Sequence, residues 1–192
     1  MADKKQAAVF MADGCEEIEA LTVADLCFRA GIPLKKISVS DRAEVTSSHE
    51  ITFRCDSVIA DEDLDEYDML ILPGGIPGTM NLKACKKLED AILSHAADPE
   101  KAVAAICAAP SVLSDLGLLR GRSAACNPSW EDKVAEGGAV ILRENAVRDG
   151  NIITSRGMGT SISFGLAIVD WFLGAEKAAE LGRKIVYRPC LD

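Results

Sequence analysis

Short apolar runs rich in branched residues alternate along the chain with amphipathic segments. The apolar runs are typical of strands buried on both faces, and the segments between them have the apolar spacing of helices. The predicted strands are 7–11, 32–39, 68–73, 101–106 and 151–155, and the predicted helices are 17–30, 82–97, 109–116 and 160–173. This alternation predicts a mainly parallel sheet with helices on both faces.

Two intervals interrupt the alternation. Residues 44–59 alternate polar and apolar positions around a Ser-Ser-His-Glu centre, which predicts a hairpin. Residues 121–149 contain short strand-like pieces and no long helical pattern. Because neither a repeat nor a linker is visible, we expect residues 1–192 to form a single domain.

Composition and charge exclude several classes of partner. The formal net charge of −9, without a basic stripe, argues against binding to nucleic acid or to an anionic membrane. No apolar run reaches the roughly 20 residues of a membrane span, and the apolar stretch near the N-terminus is too short for a signal peptide. We therefore expect a cytoplasmic protein whose partners are small molecules or other proteins.

The cysteines and histidines do not predict a metal site. Seven cysteines occur without a Cys-x-x-Cys pair, and the two histidines, His49 and His95, complete no zinc-binding spacing. We expect free thiols in a reducing compartment, and no metal or other cofactor.

Four turns follow predicted strands and are expected to meet at one edge of the sheet. In an open parallel sheet, ligands bind beyond the carboxyl ends of the strands. The turns are ADGCEEIEA at 12–20, PGGIPGT at 73–79, CAAP at 107–110 and SRGMGT at 155–160. The sequence therefore predicts a site built from these four segments.

Cys107 lies where a predicted strand passes directly into a predicted helix. A helix N-terminus favours a thiolate, and a sharp strand-to-helix turn exposes the side chain, although a buried packing cysteine is an equal alternative. Gly74 and Gly75 can present backbone N–H groups to an oxyanion on Cys107, but alone they are also typical of a tight turn. Their motif lacks the Gly-Lys-Ser/Thr ending of a phosphate loop, so nucleotide binding is not predicted.

Three glutamates and two histidines are the remaining titratable candidates. Acidic side chains stabilise a helix start, and we expect this of two among Glu16, Glu17 and Glu19. A carboxyl turned toward Cys107 would keep its proton and donate a hydrogen bond to a thiolate. His95 is expected to be solvated on its helix, whereas His49 at the hairpin tip is either solvated or directed at a neighbouring subunit.

Four segments in order carry a resemblance to a known family: GCEEIEA, DMLILPGGIPG, AAICAAPSVL and TSRGMGTSISFGLAIV. Over residues 6–187 the sequence resembles the ThiJ/PfpI superfamily (class I glutamine amidotransferase-like), and within it the Parkinson-disease protein deglycase (DJ-one) branch. The resemblance implies an α/β, flavodoxin-like three-layer sandwich with helices on both faces of a mainly parallel sheet and a small hairpin insertion. It also implies a homodimer.

The resemblance assigns roles to individual residues. Cys107 is similar to the family's reactive cysteine, and Glu19 to the protonated carboxyl beside it. Gly75 and Ala108 would offer the N–H groups of an anion pocket, and Arg156 lies on the loop that lines it. Ala108 stands where peptidase-like members carry histidine, so a peptidase is disfavoured.

Two further positions depart from the family pattern. Asn127 stands where the animal deglycases have a histidine, so that candidate base is missing. His49 stands where the family often has an arginine that reaches the partner subunit's pocket. We hypothesise that His49 contributes to the substrate pocket across the dimer.

Two functions follow from this resemblance. In the first, the Cys107 thiolate adds to the aldehyde of an α-oxoaldehyde such as methylglyoxal or glyoxal, or to its early glycation adducts, and Glu19 shuttles the proton that leads to a hydroxy acid. This is a glutathione-independent glyoxalase (lyase) or deglycase (hydrolase). In the second, the protein is a redox sensor or oxidative-stress chaperone whose Cys107 is oxidised to sulfinate.

Overall fold

The computed structural model describes residues 5–188 and has a seven-stranded sheet at its centre. The strands are β1 Ala7–Met11, β2 Leu34–Ser38, β3 Glu44–Thr46, β4 Thr52–Arg54, β5 Ser57–Val58, β6 Met69–Leu72, β7 Ala102–Ile106, β8 Ser123–Ala124, β9 Val140–Ile141, β10 Ala146–Asp149 and β11 Ile152–Ser155. The α-helices are α1 Glu17–Ala30, α2 Gly78–Ala84, α3 Lys86–Ala97, α4 Pro110–Asp115, α5 Glu131–Glu136, α6 Ser161–Leu173 and α7 Ala175–Lys184.

The sheet order is β10-β11-β7-β6-β1-β2-β5. All neighbouring pairs are parallel except β10 and β11, which form an antiparallel edge. The predicted mainly parallel sheet is therefore confirmed. The carboxyl ends of β1, β6, β7 and β11 lie side by side, so the turns after these strands meet.

Alternate side chains of the central strands form two apolar layers. Phe10 and Leu72 pack in one layer with α2, α3, α4 and α5, while Val9 and Ile71 pack in the other with α1, α6 and α7. Because both faces of a parallel sheet must be covered, the central strands are apolar throughout. The result is the expected flavodoxin-like arrangement of helix, sheet and helix.

Several element boundaries differ from the prediction. The single helix expected over 82–97 is two helices, because Cys85 adopts an extended backbone (φ −84°, ψ 98°) between α2 and α3. Helix α7 was not predicted. The 44–59 hairpin is confirmed by the antiparallel pairing of β3 and β4, whereas residues 121–149 contain α5 as well as short strands.

The expectation that His95 is solvated is wrong. Its side chain is fully buried, with Nδ1 2.9 Å from the Ala91 carbonyl oxygen and Nε2 2.8 Å from that of Tyr67. His95 lies on the buried face of α3, which packs against the sheet. Burial lowers the pKa of its imidazole.

Residues 5–188 contain neither a disulfide nor a helix suited to span a membrane. The six cysteines in this range are free thiols, and Cys190 lies outside it. None of the helices in the same range has the length and apolar character needed to span a bilayer.

Candidate active site

Three turns meet at the backbone of Cys107. Its N–H donates to the Ser155 carbonyl at 3.0 Å, at the end of β11, and its carbonyl accepts from the Asn127 N–H at 2.9 Å. Cys107 is thus fixed by the end of β11 and by the segment after β8. The contact with β11 was predicted, whereas the segment after β8 was not among the four turns expected to meet.

Cys107 has a left-handed backbone conformation. Its φ is +65°, which is uncommon for a residue with a side chain and stores strain. The strand β7 ends at Ile106, and α4 begins at Pro110 after the cap residue Ala109. This sharp turn leaves the Cys107 side chain half-buried at the edge of the sheet and not inside the core.

Glu19 turns inward toward Cys107 from the first turn of α1. It is 1% exposed, and its Oε2 accepts the Gly74 N–H at 2.8 Å, while its buried Oε1 has no hydrogen-bond partner in the described chain. The Glu16 N–H donates to the Gly74 carbonyl at 2.9 Å, which fixes the start of α1 against the turn after β6. One oxygen of the carboxyl is therefore held by the turn after β6, and the other is left without a hydrogen bond beside Cys107.

The two glycines after β6 have different roles. The Gly74 N–H is used by Glu19, and a Cβ at Gly74 would lie 2.6 Å from the Cβ of Cys107, so only glycine allows this approach. Gly75 has a φ of +89°, and its N–H and that of Ala108 form hydrogen bonds to the Cys107 sulfur that lower the thiol pKa. The backbone N–H groups at the sulfur are therefore those of Gly75 and Ala108, whereas the Gly74 N–H binds the Glu19 carboxyl.

Glu19 and Cys107 compete for one proton. Burial raises the pKa of Glu19 to about 7, against hydrogen bonds from Gly74 and Cys107. Burial, followed by the charge of the Glu19 carboxylate and its hydrogen bond, raises the pKa of the Cys107 thiol to about 12. The expected low cysteine pKa is therefore wrong, because burial raises it and the charge of Glu19 raises it further. Once Glu19 is protonated, its repulsion is removed and its O–H can donate to sulfur.

Gly157 adjoins the space in which chemistry would occur. A Cβ at this glycine would lie 3.4 Å from Asn127 Nδ2, 3.8 Å from Cys107 Sγ and 3.9 Å from Glu19 Oε1. A sulfur, an acid oxygen and an amide donor therefore surround one position. Gly157 lies in the SRGMGT turn but was not predicted as a site residue, and its signal is its place two residues after the end of β11.

Arg156 and Asn127 support the neighbouring loop. The Arg156 Nη2 lies 3.7 Å from Glu131 Oε1, and its Nε is buried without a hydrogen-bond partner among residues 5–188. Asn127 Oδ1 accepts the Ser129 N–H at 3.1 Å, which leaves Nδ2 on the side of Gly157. Of these two side chains, Asn127 lies beside Gly157, next to the sulfur's side of the turn, whereas the charged end of Arg156 points to Glu131 at the start of α5.

His49 contacts the start of α1. Its Nδ1 lies 3.1 Å from Glu17 Oε2 and 3.6 Å from Glu16 Oε2, and its side chain is 61% exposed. The hydrogen bond to Glu17 raises the pKa of His49. The pKa of Glu17 is lowered against the effect of burial, first by a hydrogen bond from its own backbone N–H and then by the one from His49. A contribution of His49 to the pocket of a partner subunit stays a prediction.

The chain is similar in sequence to several known proteins. The sequence model described as the DJ-1/PfpI family matches residues 5–171. The Parkinson disease protein 7 homolog of Danio rerio is 34% identical over 186 residues, covering 96% of this chain and 98% of that protein. A Caenorhabditis elegans relative named glutathione-independent glyoxalase DJR-1.2 is 31% identical over 182 residues, covering 94% and 96%.

Other relatives are longer, and solved structures share the fold. Protein DJ-1 homolog B of Arabidopsis thaliana is 36% identical over 186 residues, but the chain spans only 42% of its length. The crystal structure of Drosophila melanogaster DJ-1beta superposes with a TM-score of 0.90 at 32% identity, covering 96% of this chain and 99% of that one. The structure of oxidized Toxoplasma gondii DJ-1 superposes with a TM-score of 0.89 at 29% identity, covering 95% of this chain and 98% of that one.

Proposed function

Because the chain belongs to the DJ-1/PfpI family, we propose that it is a cysteine-dependent, glutathione-independent glyoxalase acting on α-oxoaldehydes such as methylglyoxal and glyoxal. One observation carries the proposal: the Cys107 sulfur, held by a left-handed turn, lies beside a buried carboxyl whose pKa of about 7 allows it both to give and to take a proton. The name of the Caenorhabditis elegans relative supports the same reaction class.

The first step forms a bond between sulfur and carbon. The Cys107 sulfur adds to the aldehyde carbon, and its proton passes by way of Glu19 to the carbonyl oxygen, giving a hemithioacetal. While negative charge is on the sulfur, the N–H groups of Gly75 and Ala108 stabilise it.

The second step moves a hydrogen within the adduct. Glu19, now a carboxylate, removes the proton from the carbon bonded to sulfur, and an enediol forms as the neighbouring ketone gains a proton. Return of a proton to that neighbouring carbon gives a hydroxy thioester. Water hydrolyses the thioester to the hydroxy acid and restores the thiol, so methylglyoxal and water yield lactate without an external oxidant or reductant.

Lactate formation from methylglyoxal is the direct test. We expect turnover in the wild type, none in Cys107→Ala, and a loss on the order of 100- to 10,000-fold in Glu19→Gln, because Gln cannot transfer a proton. Asp115→Asn, which changes a carboxyl outside the site, is the matched control and should keep full activity. Full activity in Glu19→Gln, or no lactate from any variant including the wild type, would reject the mechanism.

A redox sensor is the second candidate, because the same groups would hold an oxidised cysteine. The N–H groups of Gly75 and Ala108 and a protonated Glu19 are donors suited to a sulfinate on Cys107. Intact-mass analysis after mild peroxide treatment should show two added oxygens on the wild type and none on Cys107→Ala. Oxidation of Cys107 without any lactate formation would favour the sensor over the enzyme. Release of glyoxal adducts from proteins, a deglycase activity, can be measured on the same variants.

We also propose a homodimer that uses the exposed face of α1. Ile18 and Leu21 on this face are 45% and 37% exposed, Ile51 at the hairpin tip is 49% exposed, and Ile162 at the start of α6 is 36% exposed. Exposed apolar side chains grouped in this way are typical of association surfaces. Sedimentation should show a dimer for the wild type and a monomer for Ile51→Lys, and a monomeric wild type would contradict the proposal.

A further inference from the structure

A cluster of possible metal ligands lies outside the proposed catalytic pair. Glu16 and Glu17 at the start of α1 and His49 at the hairpin tip each offer one ligand atom, and these atoms all lie within 4.8 Å of one another. The His49 Nδ1 is 3.1 Å from Glu17 Oε2 and 3.6 Å from Glu16 Oε2. The cluster joins two segments that are more than 30 residues apart in sequence.

We propose that Glu16, Glu17 and His49 bind a divalent transition-metal ion of the zinc class. Bonds of about 2.1 Å to a tetrahedral ion separate neighbouring ligand atoms by about 3.4 Å, which is close to both distances from Nδ1. One imidazole nitrogen with two carboxylate oxygens is a donor set that zinc and its neighbours accept. Calcium and magnesium prefer oxygen ligands alone, and copper(I) prefers sulfur.

The backbone holds the two segments in place without a metal. The Ser48 N–H donates to the Cys15 carbonyl at 2.9 Å, which ties the hairpin tip to the residue before Glu16. The Ser47 Oγ accepts the His49 N–H at 3.2 Å and closes the tip around it. Binding an ion would therefore require only small side-chain movements, which limits the conformational entropy that is lost.

Burial and charge also suit the site. Glu17 is 7% exposed and Glu16 is half-buried, whereas the His49 side chain is 61% exposed in the single chain. Two carboxylates face a single imidazole, so a divalent cation neutralises more charge than the imidazolium alone. The positive end of the α1 dipole opposes a cation and weakens the site.

Calorimetric titration of the full chain with ZnCl₂, after chelator treatment, tests the proposal. We expect one ion per chain, with binding weakened at least ~10-fold in His49→Ala and in Glu16→Gln, because each removes one ligand. Glu50→Gln is the matched control, since it removes a charge from the same hairpin tip but no ligand, and its binding should equal that of the wild type. Far-UV circular dichroism of each variant checks folding.

A cobalt spectrum separates this site from the thiols. Co²⁺ bound by nitrogen and oxygen lacks the intense sulfur-to-metal absorption of a thiolate complex, and the spectrum should be unchanged in Cys107→Ala. The absence of binding, its loss in Cys107→Ala with retention in His49→Ala, or equal weakening in Glu50→Gln and Glu16→Gln would each overturn the proposal. None of these readouts depends on glyoxalase turnover, so the two proposals can fail separately.

Discussion

Replacing Glu19 by glutamine should change how stability depends on pH. Burial raises the pKa of Glu19 from the ordinary value of 4.5 to about 7, so the folded protein holds this proton more tightly than the unfolded chain does. Between these pH values the folded state binds more protons, and its stability must fall as pH rises. The contribution is complete below pH 4.5 and is lost as pH passes through about 7.

The size of the effect follows from the difference between the two pKa values. A tenfold change in proton affinity is worth about 1.4 kcal/mol, so the whole difference corresponds to about 3 kcal/mol. Glu19 is 1% exposed, so solvent screening does not reduce this figure much. Most of the change, about 2 to 3 kcal/mol, should fall between pH 5 and pH 8.

Urea unfolding of the wild type and of Glu19→Gln at several pH values measures the effect. The free energy of unfolding of the wild type, minus that of the variant, should fall by that amount between pH 5 and pH 8. Subtraction removes the pH dependence of all other groups. Glu180→Gln is the control, because Glu180 is exposed and its neighbours Lys184 and Lys177 lower its pKa. The difference in free energy of unfolding between the wild type and this variant should therefore change little with pH, and in the opposite direction. If the free energies of unfolding of the wild type and of Glu19→Gln changed with pH in parallel, the raised pKa of Glu19 would be refuted.

Three further predictions follow from individual contacts. Gly157→Ala should reduce kcat/KM for methylglyoxal by roughly 10- to 100-fold and should leave the melting temperature unchanged. The reason is that its Cβ would fill the space beside Cys107 at ordinary contact distances of 3.4 Å and more. Unchanged kinetics would contradict this prediction. Gly75→Ala should lower the free energy of unfolding by more than about 2 kcal/mol, because φ is +89° and a Cβ would lie 2.4 Å from the Glu16 nitrogen; a melting temperature equal to that of the wild type would contradict it. His95→Gln should lower the free energy of unfolding by about 1–3 kcal/mol near neutral pH. It should also make stability less sensitive to acid, because the lowered pKa of His95 gives stability above pH 6.5 that is lost as the pH falls. Identical acid unfolding profiles of the wild type and the variant would contradict this prediction.

The regular part of the fold follows from local pattern, and the exceptions have physical reasons. The bounds of α1 agree with the prediction because apolar spacing and Gly31, in the left-handed conformation, define both length and end. Helix α7 was missed because it is largely polar and buries only Ala178, Leu181 and Gly182, which leaves a weak apolar signal. His95 was misplaced because an imidazole that finds two carbonyl oxygens can be buried, and those partners come from the tertiary fold.

The site was only partly predictable for a similar reason. The order of strands and turns was enough to expect Cys107 near the turn after β6. The use of the Gly74 N–H by Glu19, and not by an oxyanion, depends on how α1 approaches that turn. The approach of His49 to Glu16 depends on a backbone hydrogen bond between the hairpin tip and Cys15, which no sequence spacing records.

The two pKa directions at the site impose a condition on any reaction of Cys107. Burial first, and then the charge of the Glu19 carboxylate, raise the pKa of the Cys107 thiol, so a proton on the carboxyl removes one of the causes that keep the sulfur protonated. The pair therefore acts as one unit with a single mobile proton, and reactivity should depend on the carboxyl as strongly as on the sulfur. Glu19→Gln tests this directly, because an amide can donate to a thiolate but cannot return a proton to carbon. Glu19→Gln should therefore react with a thiol-directed alkylating reagent at neutral pH at least as fast as the wild type, while producing almost no lactate. Loss of both reactions together would show that Glu19 serves only to hold the turn.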